Sequence, residues 1–176
     1  VENGIDHEIY LSRAEARATL NLPQDGVVIG TISRLTPQKA PFDLLAMVRE
    51  IRADNPNFLF AWLSDGEMRP QVEAEIARYD LENHVRLFGY VDQARRLLPA
   101  LDVFVLASKW EGLPYTIMEA MDAGVPIVAT DVVGTQDVID PSRTGYLVPP
   151  ERPQELAKMV NRLLIHPNHA ANIARA

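Results

Sequence analysis

Two patterns of apolar and polar positions alternate along the chain. Short apolar runs at 27–32, 58–63, 85–88, 103–107, 127–129 and 145–148 predict six strands. Several are apolar on both faces instead of alternating. Such strands are covered by helices on either side, which predicts a parallel sheet. Between them lie stretches of helical period. Phe42, Leu45, Val48 and Ile51 share one face, and Asn55-Pro56 stops that helix. Val72, Ile76 and Tyr79 mark a second. Leu156, Met159, Val160, Leu163 and Leu164 mark a late one, ended by His166-Pro167. Residues 1–26 read as a lead-in with a short helix near 12–20. A helix between each pair of consecutive strands predicts an α/β fold. It is doubly wound and Rossmann-like, a six-stranded, mostly parallel sheet with helices on both faces. No repeat, linker or low-complexity stretch divides it, so residues 1–176 read as one domain.

Composition narrows the functional classes. The chain has 176 residues, 47% hydrophobic and 23% charged, which is the globular range. With 24 acidic and 17 basic residues the net charge is −7. An acidic chain lacks the electrostatic footprint of a nucleic-acid binder. Cysteine is absent, which removes disulfides, thiolate metal sites and cysteine nucleophiles and fits a reducing compartment. No apolar run approaches the ~20 residues needed to span a bilayer. The sequence starts at Val1 with no initiator methionine or signal pattern. It therefore reads as a fragment of a longer protein, with part of an active site expected elsewhere. A cytoplasmic location is expected, and peripheral association with the inner face of a membrane through the absent part stays open.

In doubly wound sheets, ligands bind beyond the carboxyl ends of the strands. The loops to inspect begin after Ser33, Ser64, Phe88, Ala107, Thr130 and Val148. In the first loop, Arg34 leaves the strand and Lys39 opens the next helix. Two cations beside the unpaired N–H groups of a helix start suit a phosphate. Taken alone, the same pair also fits two solvated loop cations. The fourth loop reads Ser108-Lys109-Trp110-Glu111-Gly112-Leu113-Pro114-Tyr115-Thr116, then Glu119. Pro114 suits a first helical position. Gly112 permits close backbone approach. The N–H groups of Tyr115 and Thr116 are then expected to be free. Glu119 leans back toward the loop from the second turn, so Glu111 and Glu119 flank one helix start. With Trp110, Leu113 and Pro114 favouring burial, these carboxylates need donors. Sugar hydroxyls supply them, whereas a phosphate is repelled. A ligand offering both chemistries is a nucleotide sugar. Glu67 and Glu75 share the same spacing but sit with Glu73 and Arg78 on a charged, solvated face.

At this point the sequence resembles a known family. Glu111-Gly112-Leu113-Pro114, Glu119-Ala120-Met121 and Gly124-Val125-Pro126 resemble the signature of retaining GT-B glycosyltransferases of group 1, also called family four. Arg34-Leu35 with Lys39 is similar to their Arg-Leu-x3-Lys element. Asn3-Gly4-Ile5-Asp6 resembles the entry to their C-terminal domain. Asp65-Gly66, Phe88-Gly89-Tyr90, 102–105, Ser108, Gly134 and 144–149 resemble further blocks in the same order. The resemblance implies one half of a GT-B architecture, whose absent N-terminal domain holds a sugar or lipid-linked acceptor. It implies transfer of a hexose-type sugar from a nucleotide-diphosphate donor with retention, as in polysaccharide biosynthesis. Arg34 and Lys39 are expected on the diphosphate and Glu111 on the sugar, as the catalytic group. Gly112, Leu113, Pro114, Tyr115 and Thr116 are expected to meet sugar and phosphate. Glu119 is expected on the ribose, and Gly89, Tyr90 and Val91 against the base. Ser33 and Ala40 stand where the family often has glycine, as does Thr135; Asp137 stands where glutamate is common.

Fixed donors at the diphosphate would bind the transition state more tightly than the substrate as charge grows on the leaving oxygens. Glu111 is expected to orient the donor, not to act as nucleophile. No cofactor and no metal are expected: there is no Asp-x-Asp pair, and His7, His84, His166 and His169 lack ligand spacing. Neither dinucleotide nor P-loop glycine motifs occur. Two alternatives remain at this stage, a non-catalytic nucleotide-binding module and a GT-B sugar-nucleotide epimerase. The isolated domain is expected to transfer nothing.

Overall fold

The computed structural model describes residues 9–176; the Asn3–Asp6 segment and His7 lie outside them. Six strands form one sheet: β1 (Val27–Thr31), β2 (Phe58–Trp62), β3 (Val85–Leu87), β4 (Val103–Leu106), β5 (Ile127–Thr130) and β6 (Tyr146–Val148). Their order is β3-β2-β1-β4-β5-β6, and every pairing is parallel. All but β3, whose Arg86 is exposed, are apolar on both faces because each feeds two cores. Ile29, Phe60, Trp62, Val105 and Val128 face one cluster; Val28, Ala61, Phe104, Leu106, Ile127 and Ala129 face the other. The first cluster is covered by α2 (Pro41–Asp54), α3 (Arg69–Arg78), α5 (Pro153–Ile165) and α6 (Pro167–Arg175). The second is covered by α1 (Arg13–Thr19), α4 (Tyr115–Asp122) and a 3-10 segment, Ala94–Ala100.

The expected helix between every pair of strands is only partly present. Between β3 and β4 the chain forms the 3-10 segment, with Pro99 inside it. Proline removes a backbone donor and clashes with the preceding turn, which disfavours a regular α-helix. Between β5 and β6 there are turns and no helix. Gly134 there has φ 91°, outside the helical region. At the carboxyl end, Pro167 stops α5 and also starts α6, a helix that the sequence pattern did not predict.

The lead-in is welded to the sheet. Ser12 caps α1 by accepting from the Glu15 N–H, while the Glu15 carboxylate accepts from the Ser12 N–H, a capping box. Arg17 is fully buried. Its guanidinium donates to the carbonyls of Ala100, Pro23, Gln24 and Gly26 and to Asp102 Oδ2 at 2.9 Å. The same carboxylate oxygen accepts the Val28 N–H at 2.7 Å. Burial lowers the Arg17 pKa and Asp102 opposes that shift.

The chain runs outward from β1 to β3 and then returns to β4 on the other side of β1. The loops after β1 and β4 therefore diverge from adjacent strands. This is the switch point where open α/β sheets leave a crevice.

Candidate functional site

The loop after β1 is held from behind by the loop after β2. Trp62, fully buried, donates its indole N–H to the Ser33 carbonyl at 2.9 Å. The Leu35 N–H donates to the Asp65 carbonyl at 3.1 Å, and the Leu35 carbonyl accepts from Met68 at 3.0 Å. Gly66 makes this possible, because a methyl there would overlap the Leu35 backbone. Leu35 is thereby buried and Arg34 turned outward. The Arg34 guanidinium makes no hydrogen bond or ion pair among the described residues. A 3-10 turn, Pro37–Lys39, follows, and Ala40 caps it at φ 47°, ψ 57°. That is the left-handed region glycine enters most cheaply. Ser33 is buried at a negative φ, so serine there needs no special conformation.

The loop after β4 is stitched to the first one. The Lys109 N–H donates to the Gln38 carbonyl at 2.8 Å. The Gln38 side-chain amide donates to the Trp110 carbonyl at 2.9 Å. Lys39 Nζ sits 2.5 Å from Glu111 Oε1, across 72 residues of chain, and the Ser108 hydroxyl donates to the same oxygen at 2.5 Å. Both charged side chains are largely buried, 16% exposed for Lys39 and 6% for Glu111. Lys39 is thus not the open cation the sequence suggested: its charge is taken up by the carboxylate expected on the sugar. Hydrogen bonds between two charged groups are of the strong kind.

The loop after β5 closes the far side. The Thr130 hydroxyl donates to the Ser108 carbonyl at 2.5 Å. Thr135 Oγ1 lies 2.7 Å from the Thr130 and Val132 carbonyl oxygens and accepts the Val132 N–H at 3.1 Å. Threonine at this position therefore fixes the turn from within. Gly134 packs on the Glu111-Gly112 backbone so closely that a Cβ would overlap the Gly112 carbonyl. Gly112 itself has open space where a Cβ would point. Asp137 is exposed.

Three local expectations are corrected. Pro114 is not the first helical residue but the cap before Tyr115, at φ −81°, ψ 78°. The Tyr115 N–H is not free, because this turn lets it donate to the Leu113 carbonyl at 3.0 Å. Among the described residues the Thr116 N–H donates to no carbonyl outside its helix and, as the second helical residue, has none inside it. Trp110 is 57% exposed instead of buried, with its carbonyl rather than its ring fixed to the neighbouring loop. Leu113 is half-buried and Pro114 buried, as expected. Glu119 is half-buried on α4, and its carbonyl accepts the Tyr10 hydroxyl at 3.2 Å, which docks the lead-in onto that helix.

The loop expected against the base follows β3 at the sheet edge. Gly89 is buried at φ 72°, beside the Asp65–Arg69–Glu73 ion chain. Tyr90 is exposed and Val91 packs against the second core. Three strand intervals separate β3 from β4, about 14 Å. Close to the first loop, Asp43 in the first turn of α2 has a buried, unpaired Oδ2. Burial raises its pKa, and Lys109 pulls it part of the way back. Lys109 and Glu151 pair at 2.9 Å, which raises the lysine pKa and lowers that of the glutamate. Among the described residues no group of three or more His, Asp or Glu is placed to hold a metal ion. A groove of about 840 Å³ between α2 and α5, lined by Glu50, Asp54, Asn161 and Arg162 among others, includes none of the candidate residues.

Sequence reasoning missed Gln38, the anchoring role of Ser108 and the Thr130–Thr135 pair. Of these only Ser108 carried a signal, as part of a family-like block. Gln38 and Thr130 act through carbonyls of distant loops, and Thr135 through carbonyls of its own turn.

Residues 12–176 match the family model described as glycosyl transferases group 1. Among curated relatives, the Escherichia coli UDP-Gal:alpha-D-GlcNAc-diphosphoundecaprenol alpha-1,3-galactosyltransferase is 28% identical over 155 residues, covering 84% of this chain and 40% of that protein. The Streptomyces kanamyceticus alpha-D-kanosaminyltransferase is 30% identical over 166 residues, covering 92% of this chain and 42% of that protein. Among solved structures, Anabaena HepE in complex with UDP and glucose superposes with a TM-score of 0.89 at 27% identity, covering 98% of this chain and 48% of that one. The chain thus spans less than half the length of these proteins. Among the described residues no helix is long and apolar enough to cross a membrane.

Proposed function

Since the chain belongs to the family of group 1 glycosyl transferases, we propose that it is the donor-binding half of a retaining enzyme that moves a hexose-type sugar from a nucleotide diphosphate to an acceptor. The observation that carries this reading is the junction of the loops after β1 and β4. Lys39 and Glu111 meet at the switch point of a GT-B-type sheet, on backbone fixed from three sides, and Arg34 stands exposed on the same loop as Lys39. Arg34 and Lys39 take the diphosphate. Glu111 takes hydroxyls of the transferred sugar, and the backbone of 112–116 lies along sugar and phosphate. Glu119 takes the ribose hydroxyls, and the Gly89–Tyr90–Val91 backbone takes the base. HepE, of similar fold, is described in complex with UDP and glucose, which supports a UDP-type donor.

Breaking the sugar–phosphate bond leaves charge on the diphosphate oxygens. Arg34, Lys39 and the Thr116 N–H take up that developing charge and lower the barrier. Removal of one such donor costs about 3–4 kcal/mol. Glu111, anchored by Ser108, orients the sugar. The acceptor binds to a part of the protein beyond this chain, so this chain alone binds nucleotide and transfers nothing. No metal is required, because protein cations carry the diphosphate.

Titration of the chain with UDP, GDP and ADP, followed by amide shifts, tests the assignment. Shifts clustered at 33–40, 88–91 and 111–119 are expected. Shifts confined to the α2–α5 groove, or none with any nucleotide, would refute it.

A further inference from the structure

Lys39 and Glu111 are assigned to opposite halves of the donor, yet they are partners of each other. Lys39 Nζ and the Ser108 hydroxyl both contact Glu111 Oε1 at 2.5 Å, and the carboxylate is only 6% exposed. From this geometry, and resting on the donor-site reading above, we infer that Glu111 competes with the diphosphate for Lys39 and so makes the site select nucleoside diphosphates that carry a sugar.

The argument is one of compensation. A buried carboxylate that loses its cation keeps the full cost of its desolvation. Glu111 cannot follow Lys39 outward, because Ser108 holds it. Ser108 is itself fully buried, with its carbonyl fixed by Thr130. A bare diphosphate that draws Lys39 away leaves this carboxylate with one hydroxyl. It also brings negative charge toward a negative group. A sugar-bearing diphosphate draws Lys39 equally but delivers hydroxyl donors to the carboxylate in the same event. Both charges are then satisfied again. After the sugar has been transferred, those donors leave with it. Glu111 then reclaims Lys39, which loosens the remaining diphosphate. The same contact therefore discriminates on entry and assists product release.

Calorimetric titration of the chain with UDP, GDP and ADP, and with their glucose conjugates, measures the selection. The wild-type chain is expected to prefer the conjugate of whichever base it binds. Glu111→Gln keeps the shape and removes the competing charge. It should tighten bare diphosphate binding about tenfold, as expected for release of one charge-assisted hydrogen bond. The preference for the conjugate should disappear. In a Lys39→Ala background the same change should bring no gain, because there is no lysine to release. An equal gain in both backgrounds would mean simple repulsion, and no gain in either would mean no competition; each overturns the inference alone. Failure of the wild-type chain to bind any of the six probes overturns the donor-site reading and the inference with it. The wild-type chain also gives a reading that needs no variant. The carboxyl carbon-13 signal of Glu111 should move as bare diphosphate is added, and a stationary signal overturns the competition.

Discussion

Replacing Gly134 with alanine would place a methyl group on the Gly112 carbonyl oxygen and within 3.0 Å of the Glu111 carbonyl. Neither neighbour is a flexible side-chain end; both are backbone, and one belongs to the residue that holds Lys39. Two costs add. The backbone at φ 91° disfavours any L side chain, by roughly 1–2 kcal/mol. Forcing a methyl into a filled space adds about 1–3 kcal/mol. The sum, roughly 2–5 kcal/mol, corresponds for a chain of this length to a fall in melting temperature of about 4–20 °C. Gly112→Ala is the control on the other side of the same contact. Open space faces a Cβ at Gly112, and its φ is not positive. There alanine should leave the melting temperature unchanged or raise it slightly. It should nonetheless weaken nucleotide-sugar binding, since the methyl enters the space assigned to the ligand. Calorimetric melting and titration with UDP-glucose, run on both variants, separate the two roles. A Gly134→Ala chain melting within about 2 °C of wild type would refute the packing argument. A Gly112→Ala chain binding like wild type would refute the assignment of that space to the donor.

Three further outcomes follow from the geometry. Arg34→Ala should weaken diphosphate binding by about 10- to 100-fold, the loss of one charge-assisted hydrogen bond. Its melting temperature should not change, because the guanidinium has no partner to lose among the described residues; titration and melting of one sample check both. Arg17→Met should destabilise the chain by about 3–5 kcal/mol in chemical denaturation, since it strips a buried cation from Asp102 and from four carbonyls. Asp43 has its pKa raised by burial, so its protonated form favours the folded state. The associated stability is present below the unfolded value of about 3.9 and is lost as pH rises through the higher folded one. Asp43→Asn should therefore melt like wild type near pH 3 and above it at pH 7, and a variant less stable at pH 7 would contradict the shift.

β1, β2, β4, β5 and β6 were legible in the sequence because burial on both faces leaves unbroken apolar runs, and β3 from Val85 and Leu87 on one face with Arg86 exposed between them. α2, α3 and α5 were legible from one-sided periodicity, and α2 and α5 also from the prolines that follow them. The crossovers after β3 and β5 were not, because Leu97 and Leu98 supply an apolar face without a regular α-helix and the Gly134 turn supplies none. The site was legible as a set of residue types at strand ends, aided by the family resemblance. Its wiring was not. That Lys39 answers to Glu111, or that Gln38 holds Trp110 by its carbonyl, depends on two loops meeting across 72 residues, and neither loop's own pattern encodes the other. Arg17 was hidden for the same reason: its partners are mostly backbone carbonyls, which have no signature in residue identity.

Ala40 shows how a departure from the family pattern is absorbed. The resemblance expects glycine there, and the structure gives the physical ground: φ 47°, ψ 57° at the junction of the 3-10 turn and α2. Alanine in that conformation costs about 1 kcal/mol more than glycine would. Yet Ala40 is only 5% exposed and its methyl belongs to the first core, which returns about 0.8 kcal/mol. The two nearly cancel, so the left-handed turn survives the substitution. Its N–H still reaches the Pro37 carbonyl at 3.3 Å, and Lys39, one residue earlier, still reaches Glu111. The departure therefore touches the stability of the turn far more than the placement of the cation that it delivers.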